Sequence, residues 1–155
     1  MEPELDASRW LIGVTGTNGK TTTATLVGHL LARAGWDVAT VTTVETHVRG
    51  EVVPTRDLRA VLGSGCRAVV QECTSWSLER GLTRLTPFDV GAFTNLSHDH
   101  LDQHGGSFER YLAAKAQLFA SLGRSPHARP VAVLRADDPA SDLLAEVLDP
   151  RVQVV

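Results

Sequence analysis

The chain has 155 residues, 43% of them hydrophobic and 21% charged, with a formal net charge of −3. That length suits one domain with a real core, and the interspersed, slightly acidic charge gives no electrostatic reason to expect nucleic acid or a membrane surface as a partner. No apolar run approaches the roughly 20 residues that span a bilayer, Met1-Glu2-Pro3-Glu4 is acidic where a secretory signal is basic, and the two cysteines, Cys66 and Cys73, lack metal-ligand spacing. A reducing cytoplasm is the expected setting.

Trp10-Leu11-Ile12-Gly13-Val14 is a short apolar run that stops at a Thr/Gly/Asn cluster, as a buried strand feeding a loop does. From Lys20 onward Leu26, Val27, Leu30, Leu31 and Ala34 recur at helical spacing before Gly35, predicting a helix packed on a sheet. Residues 37–43 read as a second strand, 44–54 as a loop, 55–62 as a helix ended by Gly63 and Gly65, and 66–72 as a third strand. A fourth strand over 89–94, a long helix over 108–122, a fifth strand over 131–134 and a closing helix over 140–148 complete the alternation, and 152–155 can start another strand. The fold class predicted is α/β, a mostly parallel sheet flanked by helices.

The segment Gly16-Thr17-Asn18-Gly19-Lys20-Thr21 leaves a strand and opens a helix. Such a junction presents unpaired backbone N–H groups, and its glycines let the backbone wrap closely around phosphate oxygens. Lys20 would reach the terminal phosphates of a nucleotide, and Thr21 is placed to offer its hydroxyl to Mg²⁺. The common pattern has a further glycine five residues before Gly19, where Val14 stands, so the flanking strand and helix carry the assignment.

Glu72 ends an apolar strand, where ligands of parallel sheets collect, and a carboxylate there can hold a metal ion or simply be solvated. The run from His98 to His104 contains three histidines and two aspartates, a possible source of metal ligands whose spacing is that of neither a zinc finger nor a zinc-protease helix. Lys115 shares its helix face with Tyr111, Leu112, Leu118 and Phe119. A lysine on an apolar stripe either snorkels to water or is buried beside a ligand, and burial favours the reactive neutral amine.

Together GVTGTNGKTTT (13–23), ECTSWSLERG (72–81), TNLSHDHLDQHG (94–105) and YLAAKAQLF (111–119) resemble, in order and spacing, the central domain of the Mur ligases. Within that family the NLSHDHLDQHG and AAKAQLF segments are most similar to the branch that adds the third amino acid to UDP-N-acetylmuramoyl-dipeptide. They set the chain apart from folylpolyglutamate and cyanophycin synthetases, which use a related module. An ordinary phosphate-loop kinase or small GTPase lacks support, since no guanine-reading motif or kinase lid is evident.

The resemblance implies that Gly16, Thr17, Asn18, Gly19, Lys20, Thr21 and Thr22 bind ATP, that Thr21 and Glu72 hold one Mg²⁺, and that His100 helps hold a second. Lys115 matches the family's carbamylated lysine, Asn95 its asparagine near the adenine, and Thr74 and Ser75 the segment that approaches the nucleotide-sugar substrate. The implied reaction is ATP-dependent amide formation through an acyl phosphate, with a UDP-N-acetylmuramoyl-peptide-like carboxylate and an amino acid as substrates. The likeness covers about Trp10 to Phe119, with an echo in VAVLRADDP (131–139), so that residues 1–9 read as an extension and 10–155 as the central domain. The family's UDP-binding and amino-acid-binding domains are not in these residues, and would be supplied by another chain or be lost in a truncated, non-catalytic module. Departures from the family are a segment 44–55 that is shorter and poorer in Thr and Pro, Cys73 and Trp76 in place of smaller or different residues, and His98 at an often basic position.

Overall fold

The computed structural model describes residues 7–97 and 107–155. Its elements in chain order are β1 (Trp10–Thr15), α1 (Lys20–Arg33), β2 (Val38–Val41), β3 (Thr46–Val48), β4 (Glu51–Val53), α2 (Leu58–Leu62), β5 (Ala68–Glu72), α3 (Ser75–Glu79), α4 (Leu82–Leu85), β6 (Val90–Phe93), α5 (Phe108–Ser121), β7 (Val131–Val133), α6 (Ala140–Ala145) and β8 (Gln153–Val154). The strands form one sheet in the order β4-β3-β2-β5-β1-β6-β7-β8. From β2 to β8 every pairing is parallel, and the β3–β4 hairpin adds an antiparallel edge. The mostly parallel α/β sheet is therefore as the sequence predicts. From β1 the order runs outward to β5 and β2 on one side and to β6, β7 and β8 on the other. The carboxyl end of β1 thus lies at a switch point, where open α/β sheets bind their ligands.

Alternation along the strands divides the core. Val14, Val38, Ala68 and Val70 meet Ala24, Val27 and Leu31 of α1, while Leu11, Val41, Val69 and Ala132 meet Leu58, Leu118, Phe119 and Leu144 on the opposite face. Side chains such as Leu118, wholly shielded from water, contribute roughly 1.5–3 kcal/mol each by burial. Two glycines set the helix heights. A Cβ at Gly13 would lie 2.6 Å from Leu118 Cδ1 and 2.8 Å from Phe88, so α5 closes on β1 only because that side chain is missing. At Gly28 a Cβ would collide with Thr40 Oγ1, which places α1 tightly over β2.

Several expectations are corrected. Residues 44–54 are a loop only in part: Arg49 (φ 51°) and Gly50 (φ 85°) both take positive φ, the two-residue turn that matches the twist of paired strands, and so close the β3–β4 hairpin. The helix expected over 55–62 starts at Leu58, because the Asp57 carboxylate accepts from Arg59 N at 3.0 Å and caps it there. The closing helix ends at Ala145. Short helices α3 and α4 occupy a stretch given no element, separated by Gly81 at φ 89°. On α1, Leu26 and Leu30 face outward, more than half exposed, and the packing face is Ala24, Val27, Gly28 and Leu31.

Gly28→Ala is expected to cost about 1–3 kcal/mol through overpacking on Thr40, although alanine is the better helix former. In a Thr40→Ala background the cost should vanish. Urea unfolding of the four proteins measures both values, and an equal cost in the two backgrounds would place the loss elsewhere.

Candidate functional site

The loop from Gly16 to Gly19 leaves β1 at the switch point, and Gly19 is the N-cap of α1 at φ 82°, with no side chain capping the helix. The amides of the first turn are thereby left for a ligand, on the positive end of a 14-residue helix. Lys20 Nζ folds back to donate to Thr17 O at 2.8 Å. Its burial lowers the ammonium pKa, opposed by the nearby Glu72 carboxylate. Thr22 lies exposed on the first turn of α1.

Two elements grip the loop from below. At the end of β6, Thr94 Oγ1 donates to Asn18 O at 2.7 Å, and the Asn95 carbonyl accepts from Thr17 N at 2.8 Å. Asn95 also bonds Asn18 twice through its amide, Oδ1 accepting from Asn18 N at 3.0 Å and Nδ2 donating to Asn18 O at 2.9 Å. From α5, the Tyr111 hydroxyl donates to Thr17 Oγ1 at 3.2 Å, and Lys115 Nζ donates to Gly16 O at 2.7 Å while lying 4.2 Å from the Tyr111 ring centroid.

Lys115 is wholly buried, which excludes a lysine that snorkels to water along the apolar stripe. Desolvation, followed by repulsion from Lys20, brings its pKa down to about 7 from an ordinary 10.5. Glu72, 4% exposed at the end of β5, accepts three hydrogen bonds on a single oxygen. Thr21 Oγ1 donates to Oε2 at 2.9 Å, Thr43 N at 2.9 Å and Thr43 Oγ1 at 3.1 Å. A carboxylate beside a threonine hydroxyl at the foot of a phosphate loop is the hard-oxygen donor set that suits Mg²⁺.

Lys20, Thr21, Glu72, Asn95 and Lys115 thus converge on one loop. Thr74 stands apart in its bonding, since its hydroxyl accepts from Ser77 N at 3.1 Å as the cap of α3, and Ser75 is buried. His100 lies outside the described residues, and among those described no group of three His, Cys, Asp or Glu is arranged to hold a metal. Thr43 and Thr94 escaped the sequence reading, and Tyr111 entered it only as an apolar neighbour of Lys115. Thr43 and Thr94 each sit just past a strand's carboxyl end, the position that singled out Glu72, and Tyr111 is one helical turn before Lys115. Beside the site a groove of about 370 Å³ runs between α1 and the hairpin, lined by Thr21, Thr25, His29, Thr40, Thr42 and His47 among others. Among the described residues no helix is long and apolar enough to cross a membrane.

A phosphate loop at a sheet switch point, with a buried carboxylate and two lysines against it, defines the architecture of a nucleotide-binding α/β domain. Residues 14–155 match the Mur ligase middle domain, and the chain belongs to that family. It is 43% identical over 151 residues to the UDP-N-acetylmuramoyl-L-alanyl-D-glutamate–2,6-diaminopimelate ligase of Synechococcus elongatus, covering 90% of this chain and 29% of that protein. It is 39% identical over 166 residues to the enzyme of the same name from Geobacter metallireducens, covering 93% and 32%. Among solved structures, a ligase of that name superimposes with a TM-score of 0.80 at 27% identity, over 98% of this chain and 32% of the other. A folylpolyglutamate synthase of Mycobacterium tuberculosis solved with ADP has a TM-score of 0.70 at 18% identity, over 96% and 42%, a likeness of fold alone. The chain spans about a third of the length of the curated relatives it matches.

With its folded pKa below the unfolded value, Lys115 binds fewer protons in the native state between about pH 7 and 10.5, so its contribution to stability rises with pH across that window. The ε-methylene NMR signal of Lys115 is expected to titrate near pH 7. The unfolding free energy of Lys115→Met relative to the parent should fall as pH rises from 7 toward 10.5, and a pH-independent difference would refute the buried-ammonium account.

Proposed function

We propose that this domain binds Mg·ATP and activates a substrate carboxylate for amide formation in peptidoglycan precursor synthesis. The observation that carries the reading is the convergence of Thr21 and Lys115 on the Glu72 and Gly16 sides of one phosphate loop. The names of its relatives, at about 40% identity, support a UDP-N-acetylmuramoyl-dipeptide as the carboxylate substrate and the third peptide residue as the amine. Such chemistry, on nucleotide-activated substrates with ATP, belongs to the cytoplasm. Residues 10–155 act as the ATP-binding part, and the surfaces that grip the UDP moiety and present the amino acid are supplied by further domains.

In this reading the loop amides and the N-terminus of α1 hold the phosphates, and Lys20 swings from Thr17 O to the γ-phosphate. There it offsets the charge that builds as the substrate carboxylate oxygen attacks phosphorus and ADP departs. The amine then attacks the acyl carbon, and phosphate leaves as the nitrogen loses a proton. Mg²⁺, when bound, supplies Lewis-acid charge neutralisation at the phosphates. Thr21 and Glu72 would hold one ion. His100 and a carbamylated Lys115 would serve a second: the ammonium gives up one proton to become the neutral amine, which takes up CO₂ with loss of a second proton, so that a cation becomes an anion. Thr74 and Ser75, at the start of α3, face the nucleotide-sugar substrate in this scheme, and the groove beside Thr21 leaves room for groups next to the phosphates.

Calorimetric titration of Mg·ATP into the purified chain tests the reading directly. Saturable, magnesium-dependent binding is expected, weakened at least about tenfold in Lys20→Ala, the loss of one charge-assisted contact. A folded chain that takes up no Mg·ATP would sink it.

A further inference from the structure

Asn95 stands where the resemblance places an adenine contact, yet its side chain is already committed. Oδ1 accepts from Asn18 N and Nδ2 donates to Asn18 O, so the amide pairs with the loop residue as a neighbouring strand would. Its orientation is fixed, because a backbone N–H only donates and a carbonyl only accepts. The same residue's carbonyl takes Thr17 N, and Thr94 Oγ1 both donates to Asn18 O and fills the space a Cβ at Gly16 would need. Asn18 itself is exposed, and within the loop the Thr17–Asn18 peptide is held by Lys20 Nζ on Thr17 O.

We infer that Asn95 is a positioning residue for the phosphate loop: it sets the Thr17–Asn18–Gly19 backbone in its anion-receiving shape before any nucleotide arrives, and it does so independently of the base. Parallel pairing of β1 with β6 ends at Thr15 opposite Phe93. Beyond that point the backbone bonding becomes irregular, with Thr94 N donating to Thr15 O and Thr17 N to Asn95 O. The carboxamide carries the pairing one residue further along the loop, supplying one donor and one acceptor to Asn18. The ordering of the loop is therefore met within the protein and not drawn from the ligand's binding energy.

The inference extends the nucleotide-binding reading, and the test separates the two. Asn95→Ala and Asn95→Asp are compared with the parent by calorimetry, using ATP and purine riboside triphosphate, which lacks the 6-amino group an asparagine reads on adenine. Amide hydrogen exchange of Thr17 and Asn18 is followed by NMR without ligand. Loss of two hydrogen bonds should weaken both nucleotides by the same factor, about tenfold in Asn95→Ala, and speed exchange at Asn18. Asn95→Asp should bind more weakly still, since one carboxylate oxygen would oppose Asn18 O and place an anion under the phosphates. A base contact would instead lower ATP affinity alone, leave purine riboside triphosphate unchanged and leave exchange at Asn18 as in the parent; that result overturns the inference. If the parent binds neither nucleotide, the functional reading fails, and the exchange measurement still decides the role of Asn95.

Discussion

The contact on which the site depends is that of α5 with β1 across Gly13. Without a Cβ at that position, Leu118 can settle directly on the strand, and Lys115, almost one helical turn earlier, comes within 2.7 Å of Gly16 O. Any larger residue in β1 would lift the helix and withdraw Lys115 and Tyr111 from the loop together. The chemistry at the carboxyl end of the sheet is thus set by packing in its middle. A close-packed interior passes such displacements on because it has few voids to absorb them.

Two lysines approach one loop from opposite sides, and both donate to carbonyl oxygens of that loop. Lys20 rests on Thr17 O and Lys115 on Gly16 O. Each is partly or wholly desolvated, and the charge of Lys20 counts against that of Lys115. The Glu72 carboxylate already lies near Lys20, and a polyphosphate at the loop would add anionic charge beside both lysines. The modest acidity of the whole chain is compatible with such a site, because the field at short range is set by a few nearby charges and not by the net charge.

The sequence was most legible where one residue type has one physical use. Gly16, Gly19 and Lys20 between a strand and a helix announced the phosphate loop, and a carboxylate closing the apolar run 66–72 announced Glu72. The apolar neighbours of Lys115 left two readings open, and the seat between Gly16 O and the Tyr111 ring needed the three-dimensional fold. The hairpin was hidden because its turn carries Arg49 in place of the usual asparagine or glycine. The outward Leu26 and Leu30 misled in the other sense: helical spacing marks a stripe, and only the close approach of Gly28 to Thr40 tells which stripe faces the sheet. Asn95 was singled out by its motif, but its partner, the backbone of Asn18, is a property of two chain segments meeting.

The three bonds on Glu72 Oε2 join parts of the chain that are far apart in sequence, since they come from the first turn of α1 and from the bend between β2 and β3. That bend is internally rigid: Thr42 Oγ1 accepts from both Val44 N and Glu45 N and donates to Glu45 O. It is tethered to the carboxylate through Thr43. The hairpin that follows the bend walls the 370 Å³ groove, so the carboxylate at the centre of the sheet and the groove at its edge are joined through a single residue, Thr43.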